Sequence, residues 1–266
     1  MNLELVIFDW AGTTVDHGSM APVAAVTGLF AANGIELSPE QARRDMGLYK
    51  RDHIQKILAT EVVTQKWVKL RGCDPADSDV DQLFAQFKDL QTEWLTRRAR
   101  LIAGVLPVVE RLRGRGLKIG STTGYTRPML DLLLGHALQQ GYVPDYSLCP
   151  DDTAGGRPLP WMCYSIALRL QLTRSSAAVK IGDTPSDIEE GRRAGMWTIG
   201  ITATGNEVGL TEEDFTILSE AEKKRLTDAA ALRLREAGAH EVANSVSECE
   251  SVLDLIEARI SRGERP

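Results

Sequence analysis

The stretch Leu5-Val6-Ile7-Phe8-Asp9-Trp10-Ala11-Gly12-Thr13-Thr14-Val15-Asp16 decides the fold. An apolar run of strand length stops at a carboxylate and a turn of small residues. A strand covered on both faces needs a continuous apolar run, and such strands belong to parallel sheets flanked by helices. Three more segments repeat the pattern, Leu117–Thr122, Ala178–Asp183 and Trp197–Thr202, and a weaker one lies at Asp145–Cys149. Helical spacing fills the later intervals, as in Thr126–Gln139 and Pro160–Leu172. This alternation predicts an α/β protein with a parallel sheet. Ligands of such sheets bind beyond the carboxyl ends of the strands. Asp9, Thr122-Thr123 and Asp183 all fall there, so one crevice should hold them.

The alternation breaks between the first and second strands. Ala21–Asn33, Pro39–Asp45, Lys50–Ala59 and Val80–Arg98 have helical spacing, with no convincing strand among them. Ser38-Pro39-Glu40-Gln41 combines an N-cap, a proline at the first helical position and a near capping box. The expected architecture is a Rossmann-like parallel sheet core, residues 1–19 and 99–266, with an all-helical cap domain inserted as residues 20–98. His17-Gly18-Ser19 and roughly Arg100–Gly104 would be the junctions.

The chain has 266 residues, 43% of them hydrophobic and 26% charged, which suits a globular protein with a sizeable core. Its formal net charge of −6 argues against broad nucleic-acid binding, but a local positive pocket could still take a small anion. No apolar run is long enough for a membrane span, and the N-terminus enters a strand pattern without a secretory signal, so no membrane partner and a cytoplasmic location are expected. The cysteines Cys73, Cys149, Cys163 and Cys249 are widely spaced, form no CxxC pair, and read as reduced thiols.

The strand ends carry the chemistry. An Asp after a strand is ordinarily a turn former or a helix cap. Asp9, however, has counterparts in Ile181-Gly182-Asp183-Thr184-Pro185-Ser186-Asp187 at the same sheet edge. Converging carboxylates repel one another unless a hard cation joins them, and Mg²⁺ suits a sparse oxygen set completed by water and substrate. The plain alternative for Asp183 and Asp187 is capping of the helix that follows. Ser121-Thr122-Thr123-Gly124 ends another strand where a helix starts, a place suited to an anion. Gly155-Gly156-Arg157-Pro158 is a loop with one cation that could fork onto a phosphate-like group.

Taken in order, these blocks resemble the haloacid dehalogenase superfamily of aspartate-nucleophile phosphotransferases with a C1 helical cap. Phe8-Asp9 with Gly12-Thr13-Thr14-Val15-Asp16 matches its first motif and Thr123 its second. Arg157 stands where the third motif's cation belongs, and Gly182-Asp183 with Asp187 matches the fourth. "FDWAGTTVD", "MGLYKRDH", "GSTTGYTR", "AGGRPLPWMCY" and "GDTPSD" together are similar to the phosphonoacetaldehyde hydrolase family over nearly the whole chain, with Ser19 and Tyr49 as departures from the expected Cys and Leu.

The resemblance implies cleavage of a carbon–phosphorus bond, giving acetaldehyde and phosphate. Asp9 would be the nucleophile, and Asp9, the Ala11 carbonyl and Asp183 would hold Mg²⁺. Thr123, Gly124 and Arg157 would grip the phosphonate, with Tyr125 as a wall. Lys50 would form an imine with the aldehyde, aided by His53 and with Met46 beside it. A homodimer is also implied, with Trp161-Met162-Cys163-Tyr164 as one candidate contact.

Ala11 and Lys50 then explain each other. Ester phosphatases of the superfamily carry an acid two residues after the nucleophile, worth about 10²- to 10⁴-fold as a general acid. Ala11 cannot serve. A carbanion leaving group instead needs an electron sink, which a protonated imine supplies. Lys50 and His53, at helical i and i+3, would share a face. A free lysine is neutral in only about one molecule in a thousand at pH 7.5, so Lys50 needs a lowered pKa. Desolvation, with Arg51 and His53 as positive neighbours, would supply it. A Mg²⁺-dependent phosphatase or phosphomutase acting on an ester is the alternative, against which Ala11 counts. A haloacid dehalogenase, which needs no metal, and a catalytically silent phosphate-binding scaffold are more distant ones.

Overall fold

The computed structural model describes residues 2–266. Six strands form one parallel sheet: β1 (Leu5–Phe8), β2 (Lys118–Thr122), β3 (Tyr146–Leu148), β4 (Ala178–Gly182), β5 (Trp197–Ile201) and β6 (Glu241–Ala243), in the order β3-β2-β1-β4-β5-β6. β1 is central and buried throughout, as its unbroken apolar sequence requires. Its alternate residues serve two cores. Val6 and Phe8 join the larger cluster, while Leu5 and Ile7 pack with Met162, Cys163 and Ile166 on the opposite face. Chain order reverses on either side of β1, which makes this the switch point where parallel sheets open a crevice. The register sets Phe8 opposite both Ser121 and Ile181. Asp9, Thr122-Thr123 and Gly182-Asp183 therefore emerge side by side.

Residues 20–98, inserted between β1 and β2, hold five helices and no strand: α1 (Met20–Ala32), α2 (Pro39–Arg43), α3 (Lys50–Leu58), α4 (Glu61–Arg71) and α5 (Asp77–Arg98). α1 and α3 pack against α5. The Ser38 box forms as read. The Gln41 N–H donates to Ser38 Oγ at 3.2 Å, and the Ser38 N–H donates to Gln41 Oε1 at 2.9 Å. The two connections to the sheet run beside each other. The Asp16 N–H donates to the Arg100 carbonyl at 3.1 Å, and the Ile102 N–H to the Thr14 carbonyl at 2.9 Å. Asp16 and Ser19 hold left-handed backbone there, with φ of 55° and 51°.

The remaining helices are α6 (Val105–Gly114), α7 (Arg127–Gln139), α8 (Trp161–Arg169), α9 (Pro185–Arg193), α10 (Glu212–Thr216), α11 (Glu220–Glu236) and α12 (Cys249–Ser261). The strand β6 and the helix α4 were not expected from the sequence. The four cysteines are free thiols. Among the described residues no helix is long and apolar enough to cross a membrane.

Candidate active site

A cavity of about 20 Å³, enough for roughly one water, lies where the helical insertion meets the carboxyl edge of the sheet. Asp9, Ala11, Met46, Lys50, Thr123, Gly124, Tyr125, Arg157 and Asp183 all line it. The fold thus gathers nearly every candidate residue; His53 stands outside the wall.

Asp9 and Asp183 are buried, with Asp187 close enough that one oxygen from each lies within 4.8 Å of the others. Their environments differ. Asp187 is the third residue of α9 and caps it, accepting from Thr184 Oγ1 at 2.6 Å. It also meets Arg157 at 2.9 Å and Lys180 at 2.7 Å. Burial works to raise its pKa, but those two cations outweigh it and hold the carboxyl below its ordinary range. Asp183 has no cation against it. It accepts from the Asn206 N–H at 2.7 Å, Ser19 Oγ at 3.1 Å and Thr13 Oγ1 at 3.4 Å. Burial and the charges of Asp9 and Asp187 push it well up. Burial and Asp187 likewise raise Asp9, although Arg157 lies 2.7 Å away. A buried pair of hard oxygen donors with only one of them ion-paired fits a divalent cation, which would reverse both shifts.

Arg157 is more committed than the sequence suggested. Besides Asp9 and Asp187 it donates from Nε to Glu190 at 3.0 Å, and from Nη2 to the Thr122 carbonyl at 2.7 Å and Thr122 Oγ1 at 2.8 Å. Its guanidinium is turned onto three carboxylates and Thr122, while the residue still lines the cavity. Behind it Lys180, buried in the middle of β4, reaches Asp187 and stands 3.7 Å from Glu190. Lys180 and Glu190 were not singled out from sequence, and Ser19 was noted only as a junction residue and a departure from the family's Cys. The lysine inside the apolar run Ala177-Ala178-Val179-Lys180-Ile181 was the available signal, since a charge inside a buried strand needs a partner.

Lys50 opens α3 and points inward, 3% exposed. Its Nζ donates to Met46 Sδ at 3.4 Å and lies 5.4 Å from the Tyr125 ring centroid. Burial lowers its pKa to about 8, with Arg157 helping and Asp9 opposing. The expected helpers do not act. Arg51 turns outward to Asp81, and His53 is held neutral by burial and by Lys50, its pKa falling to about 3. His53 Nε2 pairs with the Arg44 carbonyl at 2.8 Å, so that nitrogen carries the proton and the buried Nδ1 keeps a bare lone pair.

The insertion seats closely on the core. A Cβ on Gly124 would stand 2.3 Å from the Leu48 carbonyl oxygen. Tyr49 packs edge-on against Phe84 inside the insertion, and its phenol is raised to about 12 by burial and by Asp151 of the core. The unexpected Tyr49 is therefore part of the seam.

Residues 3–195 match the haloacid dehalogenase-like hydrolase family. The chain is 42% identical over 264 residues to phosphonoacetaldehyde hydrolase of Nitratidesulfovibrio vulgaris, covering 99% of this chain and 94% of the relative. It is 42% identical to phosphonoacetaldehyde hydrolase of Bacillus thuringiensis, covering 97% of each. A crystal structure of a phosphonoacetaldehyde hydrolase-like protein from Oleispira antarctica superimposes with a TM-score of 0.98 at 39% identity, over 100% of this chain and 96% of the other. β-Phosphoglucomutase of Clostridium difficile, at 14% identity and a TM-score of 0.69, shares the fold.

Proposed function

The chain belongs to the haloacid dehalogenase-like hydrolases and, among them, to the phosphonoacetaldehyde hydrolase family; from that premise we propose that it hydrolyses the carbon–phosphorus bond of phosphonoacetaldehyde to acetaldehyde and phosphate. One observation carries the reading. The amine of Lys50 shares a small cavity with the carboxylate of Asp9, while position 11 of the same wall is an alanine.

Lys50, partly neutral near pH 7.5 because its pKa is about 8, adds to the aldehyde and loses water to form a protonated imine. Asp9 then attacks phosphorus. The P–C bond breaks, and its electron pair moves through the adjoining carbon into the iminium, leaving an enamine on Lys50 and an acyl phosphate on Asp9. Protonation of the enamine carbon regenerates an iminium, which water hydrolyses to acetaldehyde and free Lys50. A second water cleaves the acyl phosphate and restores Asp9. Thr123, Gly124 and Arg157 grip the phosphonate oxygens, and Tyr125 walls the imine. His53, held neutral beside Lys50, adds no positive charge to the imine site. Asp9, Asp183 and the Ala11 carbonyl would hold Mg²⁺, which supplies neutralisation of the phosphonate charge.

Residues 20–98 act in this reading as a cap and residues 1–19 with 99–266 as the catalytic core. In this reading the cap opens between turnovers to admit substrate to the cavity, which is about 20 Å³ here. A homodimer would use α8, where Trp161 and Leu168 are exposed. With four free thiols the enzyme suits the reducing cytoplasm. The test is incubation with phosphonoacetaldehyde and Mg²⁺ while acetaldehyde and phosphate are assayed together. Equal release of both is expected. Phosphate released from simple phosphate esters, with no acetaldehyde from phosphonoacetaldehyde, would favour the ester phosphatase or phosphomutase instead.

A further inference from the structure

Arg43, the last residue of α2, has no part in the chemistry above, yet its side chain leaves the cap and ends among backbone groups of the core. Nη1 donates to the Gly18 carbonyl at 2.7 Å and to Asn206 Oδ1 at 3.2 Å. Nη2 donates to the Gly209 carbonyl at 2.9 Å and lies 3.2 Å from Met20 Sδ. Asn206 Nδ2 returns a bond to Arg43's own carbonyl at 3.4 Å. The seam around this contact is a cleft of about 790 Å³ lined in part by Glu40, Arg43, Met46, Ser186 and Gly209. The guanidinium thus crosses between the two bodies instead of lying inside one.

Its acceptors are shaped for it. Gly209 has φ of +66°, and a Cβ there would stand 2.5 Å from Arg43 Nε, so only glycine leaves room. None of the acceptors is a carboxylate. The recognition depends on a planar fork reaching separate oxygens, which a lysine cannot reproduce. The two segments so clamped are the ones that hold Asp183. Asn206 gives its N–H to Asp183, and Ser19, beside Gly18, gives its hydroxyl. The same loop grips the first connection independently, through the Gly18 N–H to the Thr204 carbonyl at 2.8 Å and His17 Nδ1 to the Leu210 carbonyl at 3.0 Å.

We propose that Arg43 is a positioning residue that latches the cap shut and couples that closure, which buries Lys50, to the 206–210 loop that orients Asp183. The latch rests on the cap-gated reading given above.

The test compares wild type with Arg43→Ala, Arg43→Lys, Asn206→Ala and the Arg43→Ala/Asn206→Ala double variant. Amide hydrogen exchange, run without substrate, should quicken in Arg43→Ala by about ten- to a hundredfold at 46–50 and 206–210, the worth of about one charge-assisted hydrogen bond. Amides of α6 and α12 should be unchanged. With phosphonoacetaldehyde, kcat/KM should fall by a similar factor in both Arg43→Ala and Arg43→Lys. Added guanidinium at millimolar concentration should restore part of it in Arg43→Ala only. The double variant should be no worse than Arg43→Ala alone. Exchange that rises evenly over the whole protein, exchange unchanged at the seam, or kcat/KM unchanged would each overturn the latch. Should Arg43→Ala fail to fold, Arg43→Lys carries the exchange and kinetic arms. The exchange arm needs no substrate, so a wild type that releases no acetaldehyde defeats the proposed reaction and not the latch. Acetaldehyde release with a seam indifferent to Arg43 defeats the latch alone.

Discussion

The proposed reaction asks opposite things of Lys50 and Asp9 in one small cavity: the amine must lose its charge and the carboxylate must keep it. Burial serves the first demand and opposes the second. Arg157 serves both, repelling the ammonium and attracting the carboxylate from 2.7 Å. A pH dependence follows. The neutral amine is the reactive form, so kcat/KM should climb about tenfold per pH unit below pH 8 and level off above it. A profile still climbing steeply at pH 9.5 would mean that Lys50 keeps its ordinary pKa. Asp9→Asn should lower turnover by at least about four orders of magnitude with an unchanged far-UV circular dichroism spectrum, because it removes the proposed nucleophile without altering volume. Asp9, Asp183 and Lys50 were legible because each stands at a motif position on a strand end or helix start. Lys180 and Glu190 were not. Lys180 did break an apolar run, but its link to Asp9 passes through Arg157 from a separate loop, which no local pattern joins to β4 and α9. The error over Arg51 and His53 has the same root, since sequence neighbours were taken for spatial ones while the cation that matters to Lys50 arrives from residue 157.

At the scale of elements, the site exists because α3 and its preceding loop press onto the end of β2. Gly124 lies outside the positive-φ region, so close contact with the Leu48 carbonyl, and not backbone conformation, demands glycine there. Gly124→Ala should therefore hold the seam apart and cut kcat/KM by about ten- to a hundredfold, since relieving such a clash costs about 1–3 kcal/mol. Steady-state kinetics beside a thermal melt would check this. A variant as active as wild type would show that the seam can relax without loss. The strongly apolar strands were read to within a residue or so. β6 was not, because Glu241–Ala243 is a three-residue edge strand whose register comes from β5. α4 buries only Val63 and Trp67, too thin a stripe to stand out among its charges. α11 buries only Ala230 and Leu234, which is why the 207–241 region gave little signal.

Over the whole molecule, the helical insertion and the sheet meet at a site where buried carboxylates crowd together. Asp9 and Asp183 are both raised by burial and by neighbouring carboxylates, and a divalent cation would remove that repulsion. Mg²⁺ at about a hundred times its Kd should stabilise the fold by about 2.7 kcal/mol, or roughly 5–10 °C in Tm. The gain should vanish in Asp183→Asn, and chelator should abolish turnover. Differential scanning calorimetry reads the first effect with no substrate present; an unmoved Tm would remove the cation from Asp9 and Asp183. The division into sheet and insertion was visible in the sequence as a change of period. How the insertion closes was not, because the seam is made by carbonyl oxygens and glycines whose contacts depend on tertiary approach.

The central claim is that Lys50 makes the electron sink, and borohydride trapping tests it most directly. Enzyme treated with borohydride and phosphonoacetaldehyde together should lose activity and gain one carbon fragment as a reduced amine. Peptide mass mapping should place that fragment on Lys50, within the Tyr49–His53 segment, and on no other lysine. Lys50→Arg should take up no label and release no acetaldehyde at any pH, because its guanidinium stays protonated and is a poor nucleophile. An unlabelled Lys50 in enzyme that still releases acetaldehyde, or near wild-type turnover by Lys50→Arg, would contradict the account.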